Sequence, residues 1–376
     1  MKIDVLIPAS PNDNFYSQIA MVRLALDSLG GAYSDARVVA VLGDKAVVPL
    51  PDKWAPYFER IDVAWTDPAD FAAMGYHGTG LRCFEACRED ADVVVICDAD
   101  TLPLRPFPEL IARITQFPAF AGVLANFHIP WELSSGDAAE DWGRIAEAIL
   151  GRRIALPHRY LFEPERPCPF YVNWGFMAGP AALVCRIGER FRSIWPAVNQ
   201  YLGNYFSSQV AITLVVNDLG IPTSTLPRRY NFANYTEQDR RYPEEYDNIV
   251  IFHYFSTDFF NRHRIFTSRA RFDKFLGLEL TGSNRIFQDR VRAITSQAYP
   301  FPGAEASPNR LEDAYDDLQA NLGRLGRYAK GLEQALKESQ AYSLRLEQTV
   351  ETLRGELAAR RDARPSSRPA RSGRID

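Results

Sequence analysis

The stretch Asp92–Leu102, DVVVICDADTL, places five apolar residues in a row, Val93 to Cys97, directly before two carboxylates, Asp98 and Asp100, separated only by Ala99. An unbroken apolar run of this length predicts a strand buried on both faces, as in a parallel sheet covered by helices. Because the strand ends on Asp-x-Asp, two acidic groups fall at the carboxyl edge of the sheet. Ligands bind at that edge in open α/β sheets.

Elements on either side repeat the strand–helix alternation. Upstream, Ile3 to Ala9 predicts a first strand, closed by the turn-rich Ser10-Pro11-Asn12-Asp13-Asn14. Phe15 to Leu29 predicts a helix with Ile19, Val22, Leu26 and Leu29 on one face and Gly30-Gly31 as its stop. Arg37 to Leu42 and Ile61 to Trp65 read as strands, and Gly80 to Glu89 as the helix leading into the central strand. Downstream, Pro103, Pro106 and Pro108 end the strand, Glu109 to Gln116 forms a short helix, and Phe120 to Phe127 is extended. Trp131 to Gly151 is a polar, partly helical insertion and Pro157 to Pro169 a loop. Phe170 to Gly179 is a strand, Pro180 to Tyr201 and Ser207 to Leu219 are helices, and Ser224 to Asn231 and Asn248 to Phe255 are extended. The expectation is an α/β fold with a mixed, mostly parallel sheet flanked by helices.

The 376 residues suit one large domain or two smaller ones, and 46% hydrophobic content is ample for a core. A formal net charge of -4 gives no reason to expect nucleic acid. Five cysteines, with Cys97 in a core-like strand and Cys83 and Cys87 lacking a matching pair, argue against a disulfide framework or a zinc site. The first residues open on a strand rather than a signal peptide, and no run reaches bilayer-spanning length. The chain is expected in the cytoplasm, with peripheral attachment to the inner face of the membrane as the alternative.

Residues 1–299 are expected to form the main domain, and PFPGAEASPN, within 300–310, a linker. From Leu311 apolar positions alternate in steps of four and three: Leu311, Tyr315, Leu318, Leu322, Leu325, Ala329, Leu332 and Leu336. The phase continues through Ser339 and Ser343 to Leu346, Val350, Leu353 and Leu357, a coiled-coil heptad over 311–360. A helical hairpin folded back on the domain is the alternative. Residues 361–376, rich in Arg, Pro and Ser, are expected to be disordered.

Two hard carboxylates at a sheet edge suit Mg2+ or Mn2+, with coordination left over for phosphate. Alone, Asp-x-Asp also fits a solvated turn. The companion motifs extend the signal. In their order the sequence resembles the GT-A glycosyltransferases, most closely the retaining family-eight group that includes glycogenin-like and bacterial galactosyltransferase-like enzymes. Ile7-Pro8-Ala9-Ser10, followed by Asn14 and Tyr16, is similar to that group's nucleotide-binding first-strand loop. Asp98-Ala99-Asp100-Thr101 matches its metal motif, and Arg82 lies on the preceding helix where the family has a basic residue facing the nucleotide. Val172-Asn173-Trp174-Gly175-Phe176-Met177 resembles its Phe-Asn-x-Gly-x-Met strand, and Leu226-Pro227-x-x-Tyr230-Asn231 its Leu-Pro-x-x-Tyr-Asn. Gln209 falls where the family places Asp-Gln, and His253 on the strand that carries its third metal ligand.

The resemblance implies a GT-A-type, Rossmann-like sheet. It also implies a metal held by Asp98, Asp100 and His253, and a nucleotide-sugar donor, a UDP-sugar by expectation, contacted by Pro8, Ala9, Ser10, Asn14, Tyr16, Arg82 and Ala99. Asn173 and Gln209, with Asp100, would serve the reacting sugar. The acceptor would be a glycan, a lipid-linked sugar or a protein, and the heptads would make a homo-oligomer. Two departures stand out: Ser208 replaces the Asp before Gln209, and Ser256-Thr257-Asp258 replaces a Lys-Pro-Trp after the histidine, leaving Arg262 or Arg264 to supply the missing cation.

Other readings compete at single residues. His253 on an apolar strand also suits a core histidine, Arg82 an ion pair with Glu85 or Glu89, Asn173 a turn or bulge, and Gln209 a helix cap. His77, His128, His158 and His263 show no partner spacing and read as loop or surface residues. At the level of the whole chain the alternatives are a sugar nucleotidyltransferase and an inactive glycosyltransferase-like scaffold acting through its coiled coil. The first is disfavoured because SPNDNFY after the first strand has no Lys or Arg.

Overall fold

A computed structural model describes residues 1–129 and 134–306, with 318, 336, 339–343, 345–346 and 348–355 farther on. The chain divides into two compact units, Met1–Pro308 and Asn309–Asp376.

The first half of the larger unit contains β1 (Ile3–Ala9), α1 (Asp13–Leu29), α2 (Gly31–Ser34), β2 (Arg37–Leu42), β3 (Ile61–Trp65), α3 (Pro68–Met74), α4 (Tyr76–Glu85) and β4 (Val93–Ile96). The second half continues with β5 (Thr101–Pro103), α5 (Pro108–Gln116), β6 (Phe120–Leu124), α6 (Ala138–Leu150), β7 (His158–Arg159), β8 (Pro167–Cys168), β9 (Val172–Gly179), α7 (Ala181–Leu202) and α8 (Ser207–Asp218). It ends with β10 (Thr223–Thr225), β11 (Phe232–Ala233), α9 (Thr236–Arg241), β12 (Ile251–His253), α10 (Arg269–Leu276) and α11 (Gly282–Thr295).

Seven strands form one sheet in the order β10-β6-β9-β4-β1-β2-β3. Only β9 runs against the others. The sheet is therefore mixed and mostly parallel. β1 lies between β2 and β4, with Ile3 opposite Val93 and Leu6 opposite Ile96. The strand order reverses at β1, so the loops after β1 and β4 face one crevice at their carboxyl ends.

The unbroken apolar strands fill two cores at once. Val5, Ile7, Val93 and Val95 belong to one layer, whereas Leu6, Val94 and Ile96 belong to the other. This period-2 division of one run between two faces is what a strand covered on both sides requires. α1 starts on Asn12, whose Oδ1 accepts the Asn14 and Phe15 amides at 3.1 and 3.2 Å, and stops at Gly30 at φ 68°.

A smaller sheet, β11-β12-β5, sits beside the first, and in it β5 pairs antiparallel with β12. Three elements after 235, α9, α10 and α11, were not anticipated. Their buried positions, such as Phe272, Phe275, Phe287 and Val291, sit among many arginines and present no clean apolar stripe.

Where a linker is expected from 300, residues 300–306 are still packed. Phe301 is 1% exposed and meets the rings of Trp54 and Tyr57, Tyr57 donates to the Pro302 carbonyl at 2.6 Å, and the Ala306 amide donates to Thr267 O at 2.8 Å. Residues 307–310, most of the expected heptad and all of 361–376 lie outside the described residues. The described positions from 318 to 355 are helical, with Leu318, Leu336, Leu346, Val350 and Leu353 exposed.

Candidate functional site

Two strands bring the site together. β4 ends at Ile96 and releases Asp98 and Asp100 into the crevice; the chain then turns directly into β5, whose Thr101 pairs with His253 of β12. The imidazole therefore stands over both carboxylates although it lies more than 150 residues downstream. One ligand atom from each of Asp98, Asp100 and His253 falls within 4.8 Å of the others. His253 Nε2 is 3.2 Å from Asp100 Oδ1 and 3.7 Å from Asp98 Oδ2. Among the described residues this is the one such group of three.

The ring of His253 is held from behind. Its Nδ1 lies 2.9 Å from Asn231 Oδ1, which can only accept, so Nδ1 carries the hydrogen. Asn231 in turn donates through Nδ2 to Asn173 Oδ1 at 2.9 Å, and the Gly175 amide donates to the same oxygen at 2.8 Å. Nε2 is thereby turned toward the carboxylates and buried, and its 3.2 Å approach to Asp100 Oδ1 is an ion-pair contact without good hydrogen-bond geometry. Metal-bound histidines are oriented by this kind of outer hydrogen bond. Gly175 is required for it: a β-carbon there would lie 2.4 Å from His253 Nδ1 and 2.5 Å from Asn231 Oδ1.

Charge is concentrated in the crevice. Burial, followed by the negative charge of Asp100, raises Asp98 to about 6, with His253 and Arg262 opposing. For Asp100, burial acts upward but is outweighed by His253 and Arg262, and its pKa falls. For His253, burial acts downward and is outweighed by the two aspartates, so its pKa rises. Arg262 Nη1 is hydrogen-bonded to Asp100 Oδ2, and its guanidinium lies 5.4 Å from the centroid of Phe255. Phe255 stacks on Tyr235 at 4.8 Å and lies 4.2 Å from the His253 ring, forming an aromatic wall on that side. A cavity of about 30 Å³ adjoins it, lined by Asn173, Asn231, Arg228 and His253 among others.

The residues fit a divalent ion. Two carboxylates and an imidazole make a hard, borderline donor set, and a buried Nε2 aimed at both carboxylates without a well-formed hydrogen bond suits a ligand position.

The other expected site residues are scattered more widely. Pro8 and Ala9 end β1, with Ala9 paired to Leu42 of β2, and Ser10 follows directly. Asn14 opens α1 just beyond them. Ala99 lies between the acids and is 3% exposed. Tyr16 is a core residue at 1% exposure, with its ring against Trp54 and Phe58. Arg82 donates to Trp65 O at 3.2 Å and pairs with Glu85 at 3.5 Å, the i,i+3 helix pairing. Asn173 commits its oxygen to the His253 relay. Gln209 is 4% exposed near the start of α8, and Ser208 before it accepts from Trp174 Nε1 at 3.0 Å.

Asn231, the orienting residue, was not singled out as a site residue, although Leu226-Pro227-x-x-Tyr230-Asn231 contains it. Two histidines read as surface are buried. His77 is 8% exposed and packs on Trp195. His128, also 8% exposed, bridges Tyr160 Oη and Asp141 Oδ2, each at 2.9 Å. These bonds tie the insertion to the strand before it.

No protein-family model matches the chain, and no curated protein sequence matches it. Among solved structures it is similar to an active-site variant of LgtC, with a TM-score of 0.47 and 14% identity over 83% of this chain and 99% of that one. It is also similar to galactosyltransferase LgtC in complex with donor and acceptor sugar analogues, with a TM-score of 0.45 and 14% identity over 77% and 100% of the two chains. A third is mouse xyloside xylosyltransferase 1 in its apo form, with a TM-score of 0.42 and 11% identity over 67% and 97%.

Proposed function

We propose that the chain is a GT-A-type glycosyltransferase that moves a sugar from a nucleotide-diphosphate donor, a UDP-sugar, to an acceptor hydroxyl with retention of configuration. The observation that carries this reading is the convergence of Asp98, Asp100 and His253 at the point where the strand order reverses. Asp98, Asp100 and His253 would hold Mn2+ or Mg2+, which would act as a Lewis acid on the leaving diphosphate.

The chain's own residues do the rest. Asn231, itself held by Asn173, fixes the His253 tautomer and keeps Nε2 facing forward. The backbone of Pro8, Ala9 and Ser10, with Asn14, borders the same crevice from the adjacent strand and is assigned to the nucleotide. Arg262 pairs with Asp100 and, when released from it, is assigned to the diphosphate oxygens. It takes the part for which Arg82 was expected, since Arg82 is engaged with Trp65 and Glu85. Gln209 is assigned to the donor sugar. Self-association is assigned to the heptad pattern expected over 311–360.

The test is thermal unfolding and calorimetry with UDP and Mn2+, followed by a screen of nucleotide sugars for hydrolysis. The wild-type chain is expected to be stabilised by UDP only when Mn2+ is present. Asp100→Asn should lose that stabilisation and at least about 100-fold in turnover. A wild-type chain that UDP and Mn2+ leave unchanged would sink the reading.

A further inference from the structure

A second cavity, of about 480 Å³, opens where the chain leaves the end of β5 remote from Asp100. It is walled by the last turn of α1, by residues 104–106, by the segment before β12 and by α11. Its polar wall contains two guanidinium groups, Arg105 and Arg290, beside the Ser28 hydroxyl; Leu29 and Ile286 line the apolar side.

Neither arginine has a carboxylate partner among the described residues, and the acids nearest in sequence are already engaged. Asp289 pairs with Arg285 and Arg292, Asp27 with Arg23 and Arg60, and Glu109 with Arg229. Arg290 donates through Nη2 to Ser28 Oγ at 2.6 Å, while its Nε is buried with no partner. Burial, and then the charge of Arg105, press the Arg290 pKa down. Arg105 is exposed and Arg290 half-buried, and two like charges facing one concavity without an acid between them disfavour each other. An anion relieves this, and forked guanidinium donors match the oxygens of phosphate.

We propose that this cavity is a second ligand site, one that takes a phosphate group on Arg105, Arg290 and Ser28 without a metal ion. The shared chemistry is a terminal phosphate dianion, supplied either by free inorganic phosphate or by a lipid headgroup whose chain lies along Leu29 and Ile286.

The test is titration calorimetry on the full chain in EDTA, so that no divalent ion recruits phosphate to Asp98 and Asp100. The probes are inorganic phosphate and a short-chain phosphatidic acid below its micelle concentration. The wild-type chain is expected to bind a single equivalent. Arg105→Gln and Arg290→Gln should each weaken binding by about tenfold or more, and Asp100→Asn should leave it unchanged. Similar affinity for the two probes identifies a free phosphate as the ligand; much tighter binding of the phosphatidic acid identifies a lipid. Without ligand, Arg105→Gln should melt above the wild type, because it removes one of two repelling charges; a lower melting temperature overturns the charge argument. Failure of the wild type to bind either probe, or unaltered binding in both variants, overturns the site.

Discussion

Arg262 occupies the position of a counter-ion. It sits on Asp100, 10% exposed, in a crevice that would otherwise hold two carboxylates and one imidazole. A divalent ion bound by Asp98, Asp100 and His253 would have to displace it. Replacing it by methionine keeps an apolar stem of similar reach and removes the guanidinium that lies over Phe255, and with it the competing charge. Arg262→Met should therefore bind Mn2+ several-fold more tightly, about 1 kcal/mol, while donor turnover falls; calorimetric titration with Mn2+ checks the first part. Weaker Mn2+ binding in the variant contradicts this account. His77 supplies a second test at the same scale. Burial lowers its pKa to about 4 from an ordinary value near 6.5. Below pH 6.5 the unfolded chain takes up a proton that the folded chain refuses until about pH 4. Stability should thus fall through that window as pH drops, by about 1.4 kcal/mol per unit. His77→Gln should flatten the slope in denaturant titrations at pH 7 and pH 5. An unchanged slope assigns the pH dependence elsewhere.

Elements meet where glycine permits it. A β-carbon at Gly188 of α7 would lie 2.7 Å from the Phe84 β-carbon of α4, so the two helices touch at that point. α4 packs directly before β4 in the chain, and moving it disturbs the strand that delivers Asp98. Gly188→Ala should cost about 1–3 kcal/mol, read from urea unfolding midpoints, and it should lower Mn2+ affinity. A neutral effect shows that α7 yields without strain. β1 and β2 were legible in the sequence because burial on both faces writes itself as an apolar run; β3, an edge strand with Asp62 and Val63 exposed, also falls where its short Ile61–Trp65 stretch begins and ends. α10 and α11 were not legible, because their inward residues are single aromatics among arginines. Asp98, Asp100 and His253 were legible as residue types in order. The service of Asn173 to Asn231, and of Asn231 to His253, was not, because hydrogen bonds between elements far apart in the chain leave no spacing in the sequence. Tyr16 shows the converse: its place in a loop motif did not reveal that Trp54 and Phe58 enclose it.

At the scale of the whole chain, the larger unit does not end at 299. Phe301 and Ala304 are buried, Phe301 against Trp54 and Tyr57 of the first half. Phe301→Ala should cost about 3–5 kcal/mol. Truncation after 299 should leave Trp54 and Tyr57 uncovered and lower the melting temperature, whereas truncation after 308 should leave a folded monomer, judged by melting curves and light scattering. Equal stability of the two truncations removes the packing argument. The pairing of Thr101 with His253 carries a consequence for biosynthesis. The acid pair leaves the ribosome with β4, and its imidazole follows more than 150 residues later, a delay of about 8–30 s at ordinary elongation rates. Throughout that interval the nascent chain offers metal only two carboxylates, without the imidazole or Arg262. A complete donor set comes into being only as the final quarter of the larger unit is translated, so the site is assembled by late segments of the domain rather than by the strand that carries its acids.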